Sequence, residues 1–240
     1  MASYFISDLH LSNQQPKLLI GLLQLCQQIA ADAEELFILG DLFDAWIGDD
    51  AAPAELLPMQ QALLRLAMGG CKLYFVHGNR DFLLGQDFAD SCQMRILPSI
   101  CKRRVQGQQV LLLHGDELCT DDLPYQAFRQ QVRNSKWQTD FLSQPLEARL
   151  AQAKAARHAS QAHTSSSQMD IMDVNEQAVA QCFAEQDCQT MIHGHTHRPD
   201  RHQYSDGRVR WVLGDWHPDQ LNYLRIEQQD WRFVRHNILG

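Results

Sequence analysis

Five times along this chain of 240 residues, a short β-branched or aromatic run stops abruptly in a cluster of Gly, Asp, His or Asn. Tyr4-Phe5-Ile6 precedes Asp8-Leu9-His10, and Leu36-Phe37-Ile38-Leu39 precedes Gly40-Asp41. Leu73-Tyr74-Phe75-Val76 precedes His77-Gly78-Asn79-Arg80-Asp81, Val110-Leu111-Leu112-Leu113 runs into His114-Gly115-Asp116, and Met191-Ile192 into His193-Gly194-His195-Thr196-His197. Apolar runs this short, bounded by turn residues, fit buried strands. Between the first three lie helical stretches: Pro16 to Ala31, with Leu19, Leu22, Leu23, Cys26 and Ile29 at helical spacing, and Ala54 to Met68. Strands alternating with helices pair in parallel through right-handed crossovers. In such sheets ligands gather beyond the carboxyl ends of the strands, and every polar cluster here falls at such an end.

The stretch from about Leu123 to Asn175 interrupts this alternation. It is rich in Gln, Ala, Arg and Leu and has no strand-like run, which predicts a helical insert on one α/β body spanning residues 1–240. Pro145 predicts a division into two helices, and Thr164-Ser165-Ser166-Ser167-Gln168 reads as a loop within the insert. Apolar Tyr125, Phe128, Val132, Trp137, Phe141, Leu142, Leu146 and Leu150 recur through it, a stripe that in its plainest form is helix packing. Among them stand Arg129, Arg133, Lys136, Arg149, Lys154 and Arg157 against only Asp140 and Glu147, a local excess of four positive charges.

The whole chain carries a net charge of −8, which argues against a duplex nucleic-acid binder. Its apolar runs fall far short of the ~20 residues that cross a bilayer, and MASYFISDLH has no basic-then-apolar leader pattern. Seven cysteines, scattered and without a CxxC pair, read as reduced thiols of a cytosolic protein.

A lone Asp8-x-His10 means little, because 21 Asp and 11 His in a chain of this length give about one such triplet by chance. Asp200-Arg201-His202 and Asp215-Trp216-His217 are matches of that kind. The ordered set is another matter: Asp-x-His, Gly-Asp-x-x-Asp, Gly-Asn-x-Asp, His-Gly-Asp and Gly-His-x-His follow one another, each behind a strand. Carboxylates, imidazoles and an amide oxygen converging on one sheet edge make a mixed N/O site for first-row divalent metals. Two such ions can clamp the attacking and leaving oxygens of a phosphoryl displacement. The clusters contain no cysteine, which disfavours a thiolate zinc site.

These five blocks resemble the signature of the calcineurin-like metallophosphoesterases. Longer segments resemble the branch that cleaves a lipid-linked UDP-sugar in Gram-negative lipid A synthesis: Gly40 to Asp50, His77 to Gly85, Cys119 to Asp122, Ile171 to Asn175 and Ile192 to Pro199. The likeness reaches along the chain to about Gln220, after which no motif is visible. It implies a four-layer αββα sandwich with a helical cap over roughly 123–175. It implies one metal held by Asp8, His10, Asp41 and His197, and a second by Asp41, Asn79, His114 and His195, with Mn²⁺ favoured and Fe²⁺, Co²⁺ or Zn²⁺ compatible with the donors. The activity implied is hydrolysis of the diphosphate of a UDP-linked diacylglucosamine to UMP and the sugar 1-phosphate, by attack of a metal-activated water on the α-phosphorus.

Arg80 stands where many relatives have His; an Arg stays charged and cannot serve as a general acid, so the expected role is to clamp diphosphate oxygens beside Asn79 and His195. Asp44 and Asp116 are expected to orient ligating imidazoles. Asp122, Arg157 and Ser160 match substrate-contacting positions. Thr164 and Ser167 belong to the same group but depart from the pattern, a Lys being usual at the latter. The cap then shelters acyl chains and meets an anionic membrane surface, giving a cytoplasmic protein peripherally bound to the inner membrane, with no nucleic acid and no obligate protein partner. A soluble nucleotide or protein phosphoesterase on the same body, or a non-catalytic binding module, are the alternative readings; all seven ligand positions being filled weighs against the module.

Overall fold

The side chains of the first strand point alternately to two different cores. In β1 (Ala2–Ile6), Tyr4 and Ile6 join the apolar cluster under the helices, while Phe5 joins a second cluster on the opposite face. The same division holds in β2 (Ala33–Leu39), where Leu36 and Ile38 oppose Phe37 and Leu39, and in β3 (Lys72–Val76), where Leu73 and Phe75 oppose Tyr74 and Val76. Both faces of these strands are therefore buried, which is why they read as continuous apolar runs rather than alternating ones. The computed structural model describes residues 1–166 and 173–238, with the backbone alone for 159–166.

Strands β1, β2, β3 and β4 (Met94–Ile96) are parallel. Helices α1 (Pro16–Ile29), α2 (Leu57–Met68) and α3 (Gln86–Ser91) supply the cover on one face. Proline stands in the first turn of both α1 and α2, where its missing N–H would in any case lack a partner. A second sheet orders β5 (Ile100–Val105), β6 (Gln108–Leu113), β7 (Thr190–His193), β9 (Val209–Val212) and β8 (Asp200–Gln203). In it β6, β7 and β9 are parallel, and β5 and β8 are antiparallel edges. Val110, Leu112 and Ile192 meet the first sheet, whereas Leu111, Leu113 and Met191 pack beneath α7 (Glu176–Gln186). The layers run helix, sheet, sheet, helix, as expected. Between the sheets Phe37 stacks on both Phe5 and Tyr74 at 4.7 Å, and Arg103 lies over the Tyr74 ring at 4.4 Å.

Three features differ from the sequence reading. The residues from Gln220 form a hairpin, β10 (Gln220–Glu227) and β11 (Asp230–Asn237), with β10 antiparallel to β1. Leu221 and Tyr223 face the helices while Leu224 and Ile226 enter the inter-sheet core, so burial on both faces erased the alternation that would mark a strand. Among the described residues the insert holds three helices before α7, not two: α4 (Leu123–Val132), α5 (Ser135–Leu142) and α6 (Leu146–Ser166). Pro145 does precede α6, but Asn134 also starts a helix by accepting from Lys136 N and Trp137 N. Thr164 to Ser166 continue α6 instead of forming a loop, Ser and Thr being only weakly unfavourable in a helix. Ser167 and Gln168 lie outside the described residues.

None of the seven cysteines forms a disulfide, and all but Cys101 are buried. Among the described residues no helix is long and apolar enough to cross a membrane. Phe37, fully buried at the centre of the inter-sheet stack, offers a direct measure of that core. Phe37→Ala should lower the free energy of unfolding by about 3–5 kcal/mol, read from the urea midpoint at constant slope; a loss below ~1 kcal/mol would show that the sheets do not depend on this layer.

Candidate metal centre

Five residues that end strands or follow them have left-handed backbones: Asp8, His10, Asp41, His195 and His197, with φ between 50° and 69°. Asp and His enter this region more readily than most residues, yet each non-glycine position there still costs about 1–3 kcal/mol. The conformation turns each chain sharply away from its sheet and aims the side chain across the strand ends. Close glycines make room for it. A Cβ on Gly78 would stand 2.2 Å from Asp41 Oδ1, and one on Gly194 would stand 2.3 Å from Asp8 Oδ2.

The loops are bound to one another by their own carboxylates. Asp81 is fully buried and accepts from Leu42 N (2.7 Å) and Gly78 N (2.8 Å), joining the loops after β2 and β3. Asp49 returns the clasp by accepting from Trp46 Nε1, Gly85 N and Phe88 N, each at 2.9 Å. Across the two sheets, Asp8 Oδ2 accepts from His195 N at 2.9 Å; within the second sheet, Gly194 N donates to the His114 carbonyl at 2.8 Å.

This framework gathers the expected donors. One ligand atom each from Asp8, His10 and His197 lie within 4.8 Å of one another, as do atoms of Asp8, Asp41 and His114. Asp41 directs one oxygen to each side: Oδ2 is 3.9 Å from His10 Nδ1, and Oδ1 is 3.7 Å from His114 Nε2. Asn79 Oδ1 lies 3.0 Å from both His114 Nε2 and His195 Nδ1, which brings the remaining two residues to the same place. His114 Nδ1 donates to the Leu39 carbonyl at 2.8 Å, so Nε2 is the ring nitrogen turned toward the cluster. Asp8 Oδ1 and His10 Nδ1 are buried without a hydrogen-bond partner among the described residues. Buried polar atoms are nearly always satisfied, so these two, inside a ring of N and O donors, fit a bound divalent cation.

The electrostatics agree. Burial, with Arg80 adding to it, pulls His10 down to about 3, and burial with His114 pulls His195 down to about 4, so both are neutral donors. Burial pushes Asp41 up to about 6, with Asp8 adding to the rise. For His114 burial opposes the charge, but Asp41 and Asp8 override it and raise the ring to about 9. Burial is likewise overridden at His197, where Asp215 and Asp8 raise the ring to about 10. Asp8 is held well below the usual carboxylate range by His197, His114 and His10 despite its burial. Without a metal, protons on two imidazoles thus occupy the place that cationic charge would take.

At the mouth, Arg80 is about one-third exposed; its backbone N–H donates to Asp41 Oδ1 at 2.9 Å and its Nη1 lies 3.4 Å from Asp44 Oδ1. Arg157 of α6 reaches the other Asp44 oxygen. Asp44 therefore bridges two arginines and does not orient an imidazole as expected. Nor does Asp116, whose Oδ2 accepts from Tyr125 Oη and from Arg129 Nε at 2.7 Å; both carboxylates are closer to cap cations than to any ring. Asp81 is occupied by backbone amides and does not pair with Arg80. Asp122 caps α4 by accepting from Tyr125 N at 3.0 Å and is almost wholly buried. Ser160, Thr164 and Ser167 lie outside the described residues, the first two by their side chains.

Asp215 was passed over as part of a chance Asp-x-His triplet, yet its Oδ2 stands 3.4 Å from His197 Nδ1, while Trp216 N donates to the Asp8 carbonyl at 3.1 Å. Tyr125, whose ring faces that of His195 at 6.2 Å, also escaped notice as a site residue. Asp215 follows β9, a strand whose Arg210 breaks the apolar run, and Tyr125 lies on α4 within the helical insert. His193 stays apart from the donors: Nδ1 donates to the Gly194 carbonyl and Nε2 meets Arg210 at 3.2 Å.

The profile of the calcineurin-like phosphoesterases matches residues 1–199. The chain is 46% identical over 241 residues to a UDP-2,3-diacylglucosamine hydrolase of Stenotrophomonas maltophilia (strain K279a), covering 96% of this chain and 97% of that protein. It is 46% identical over 233 residues to the protein of the same name from Pasteurella multocida (strain Pm70), with 97% of each chain covered. Among solved structures, a dimetal phosphatase from Danio rerio has a similar fold, with a TM-score of 0.56 at 14% identity over 99% of this chain and 95% of that one.

Two outcomes follow from the geometry. Gly78→Ala should displace the Asp41 carboxylate and lower metal content and turnover together, turnover by about 100-fold or more; full metal occupancy by elemental analysis would contradict the close packing. Metal binding at pH 7 should release protons from His114 and His197, so affinity should fall as pH is lowered. Calorimetry in two buffers of different ionisation enthalpy measures that release; a buffer-independent heat would refute it.

Proposed function

The chain belongs to the calcineurin-like phosphoesterase family, and on that footing we propose that it hydrolyses the diphosphate of UDP-2,3-diacylglucosamine to UMP and 2,3-diacylglucosamine 1-phosphate in lipid A biosynthesis. The observation that carries this reading is the identity of 46% with hydrolases of that name along nearly the whole of both chains, cap included.

The residue roles follow from the chemistry of the donors. Asp8, His10, Asp41 and His197 hold one divalent cation, and Asp41, Asn79, His114 and His195 a second, with Asp41 between them. When bound, two such ions supply Lewis acidity toward phosphoryl oxygens and a water acidic enough to attack at neutral pH. We assign Mn²⁺, although the imidazole and carboxylate donors also suit Fe²⁺, Co²⁺ and Zn²⁺. Arg80, permanently charged, donates to the diphosphate oxygens from the mouth of the cluster, and Arg157 stands across Asp44 from it. Asn79 and His195 present an amide and a neutral imidazole toward the developing equatorial charge. The leaving group is itself a phosphate oxyanion of low basicity, so the absence of a general acid at position 80 costs little.

The cap accounts for the lipid. Leu123, Phe128, Leu142, Leu146 and Leu150 are large apolar side chains left exposed on α4, α5 and α6. They offer cover for acyl chains and a contact with the inner-membrane surface from the cytoplasmic side.

The test is an Mn²⁺-dependent assay comparing diacylated UDP-glucosamine with UDP-GlcNAc and an aryl phosphate. Binding energy from the acyl chains should raise kcat/KM for the diacyl substrate by on the order of 100-fold or more, and Asp41→Ala should abolish turnover and metal uptake together. Equal rates on the soluble UDP-sugar would sink the lipid substrate, and wild-type activity in Asp41→Ala would sink the ligand assignment.

A further inference from the structure

Asn79 and His114 meet at 3.0 Å, yet they belong to loops from different sheets. Among the described residues no backbone hydrogen bond joins residues 77–81 to 114–118. Besides that contact and the bond from His114 Nδ1 to the Leu39 carbonyl, the two loops are tied from outside, by one stripe of α4. Tyr125, Arg129 and Arg133 recur every fourth residue and so share a helix face. Asp116, two residues beyond His114, accepts from Tyr125 Oη and from Arg129 Nε at 2.7 Å. Arg133 Nη2 donates at 2.8 Å to the carbonyl of Gly78, the residue that packs on Asp41 and precedes Asn79. The same guanidinium is 3.8 Å from Asp116 and lies over the Phe82 ring at 5.4 Å. Gln126, on the adjoining row, fixes the register by donating to the carbonyls of Asp116 (2.8 Å) and Cys119 (3.0 Å).

These arginines differ from those at the mouth. Their side chains are 20% and 19% exposed with donors committed to the loops, whereas Arg80 and Arg157 are 34% and 39% exposed and open toward the cleft. A guanidinium can serve both loops at once because its donors form a rigid planar fork; an ammonium is a single point.

We propose that Arg133 and Arg129 are positioning residues that set the distance between Asn79 and His114, Arg133 through the Gly78 carbonyl and Arg129 through the Asp116 carboxylate. The inference rests on the ligand assignment above. It makes the seating of the cap a condition for a complete second metal position, while the position built from Asp8, His10 and His197 touches neither arginine.

Calorimetric titration of the metal-free protein with Mn²⁺, together with kcat and KM, tests this. Arg133→Ala should bind one Mn²⁺ as the wild type does and the other about 10–100-fold more weakly. At saturating Mn²⁺ it should lose kcat by on the order of tenfold with KM unchanged. Arg133→Lys, able to donate to the carbonyl but not to reach both loops at once, should recover part of the second affinity, a rescue that a purely volumetric role would not give. Arg129→Gln should weaken the same Mn²⁺ and carries the test if Arg133→Ala does not fold. Two unchanged binding steps, or a raised KM at constant kcat, would overturn the proposal. The titration needs no lipid, so a wild-type protein inactive on UDP-2,3-diacylglucosamine would defeat the proposed function while leaving this inference to be decided by the second Mn²⁺.

Discussion

The hydrogen bond from His195 N to Asp8 Oδ2, 2.9 Å long, joins at their ends two sheets whose shared core is mainly apolar. Everything at the strand ends depends on that level being shared. If one sheet slid along its strands by one residue, about 3.3 Å, the residues ending β1, β2 and β3 would no longer face those ending β6 and β7. The stacked rings of Phe5, Phe37 and Tyr74, all of the first sheet, resist such a slip by sharing a buried cluster with Val110, Leu112 and Ile192 of the second. Packing of that density responds to displacement as a solid does. The inter-sheet core is in this sense part of the metal centre, although none of its atoms is a donor.

Strain at the edge has the same origin. Five donor residues hold left-handed backbones, and Gly78 and Gly194 leave no room for a side chain beside the two carboxylates. A fold selected for stability alone would relax these turns. Here they are retained by clasps whose acceptors are buried: Asp81 on two amides and Asp49 on three donors. Burial raises Asp81 to about 6, with Asp41 adding to the rise, so these amide bonds are made at the expense of solvation. The same arrangement that disfavours charge on Asp41 favours it on His114 and His197, and a divalent cation resolves both at once.

Much of this was legible from the residues. The five strand-then-cluster blocks located β1, β2, β3, β6 and β7, and five of the residues at their ends, Asp8, His10, Asp41, His114 and His197, come together in two groups able to hold a metal, because a buried strand and a polar turn each leave a local mark. What escaped was non-local. Strand β10 is buried on both faces and ends in no motif, so neither period nor cluster betrayed it. Asp215 acts on His197 from beyond β9; Trp211-Val212-Leu213 before Gly214-Asp215 is a further apolar run ending in a polar cluster, shortened by Arg210 and so outside the five blocks. Asp44 and Asp116 were visible as acids beside ligands, but what they hold, Arg80 and Arg157 or Tyr125 and Arg129, depends on how the cap docks. Docking partners of a charge cannot be read from its neighbours in the chain.

The charge of the cap takes on a different meaning in that light. The local excess of four positive charges suggested a free cationic face, but Arg129 pairs with Asp116, Arg133 donates to Gly78, and Arg149 and Arg157 pair with Asp50 and Asp44. Lys136 pairs within its own helix with Asp140. The cap cations thus serve mainly to seat the cap on an acidic body, and Arg149, nearly buried, marks the firmest of these contacts. Long-range attraction to anionic headgroups is correspondingly reduced, since a paired charge contributes little field beyond a Debye length. Among the described side chains, α4, α5 and α6 expose Lys154 and five large apolar residues, Leu123, Phe128, Leu142, Leu146 and Leu150. At about 25 cal/mol per Å² of apolar surface removed from water, the proposed lipid contact draws its strength from area. The net charge of −8 then describes a body that uses its acids twice, as metal donors and as anchors for its own lid.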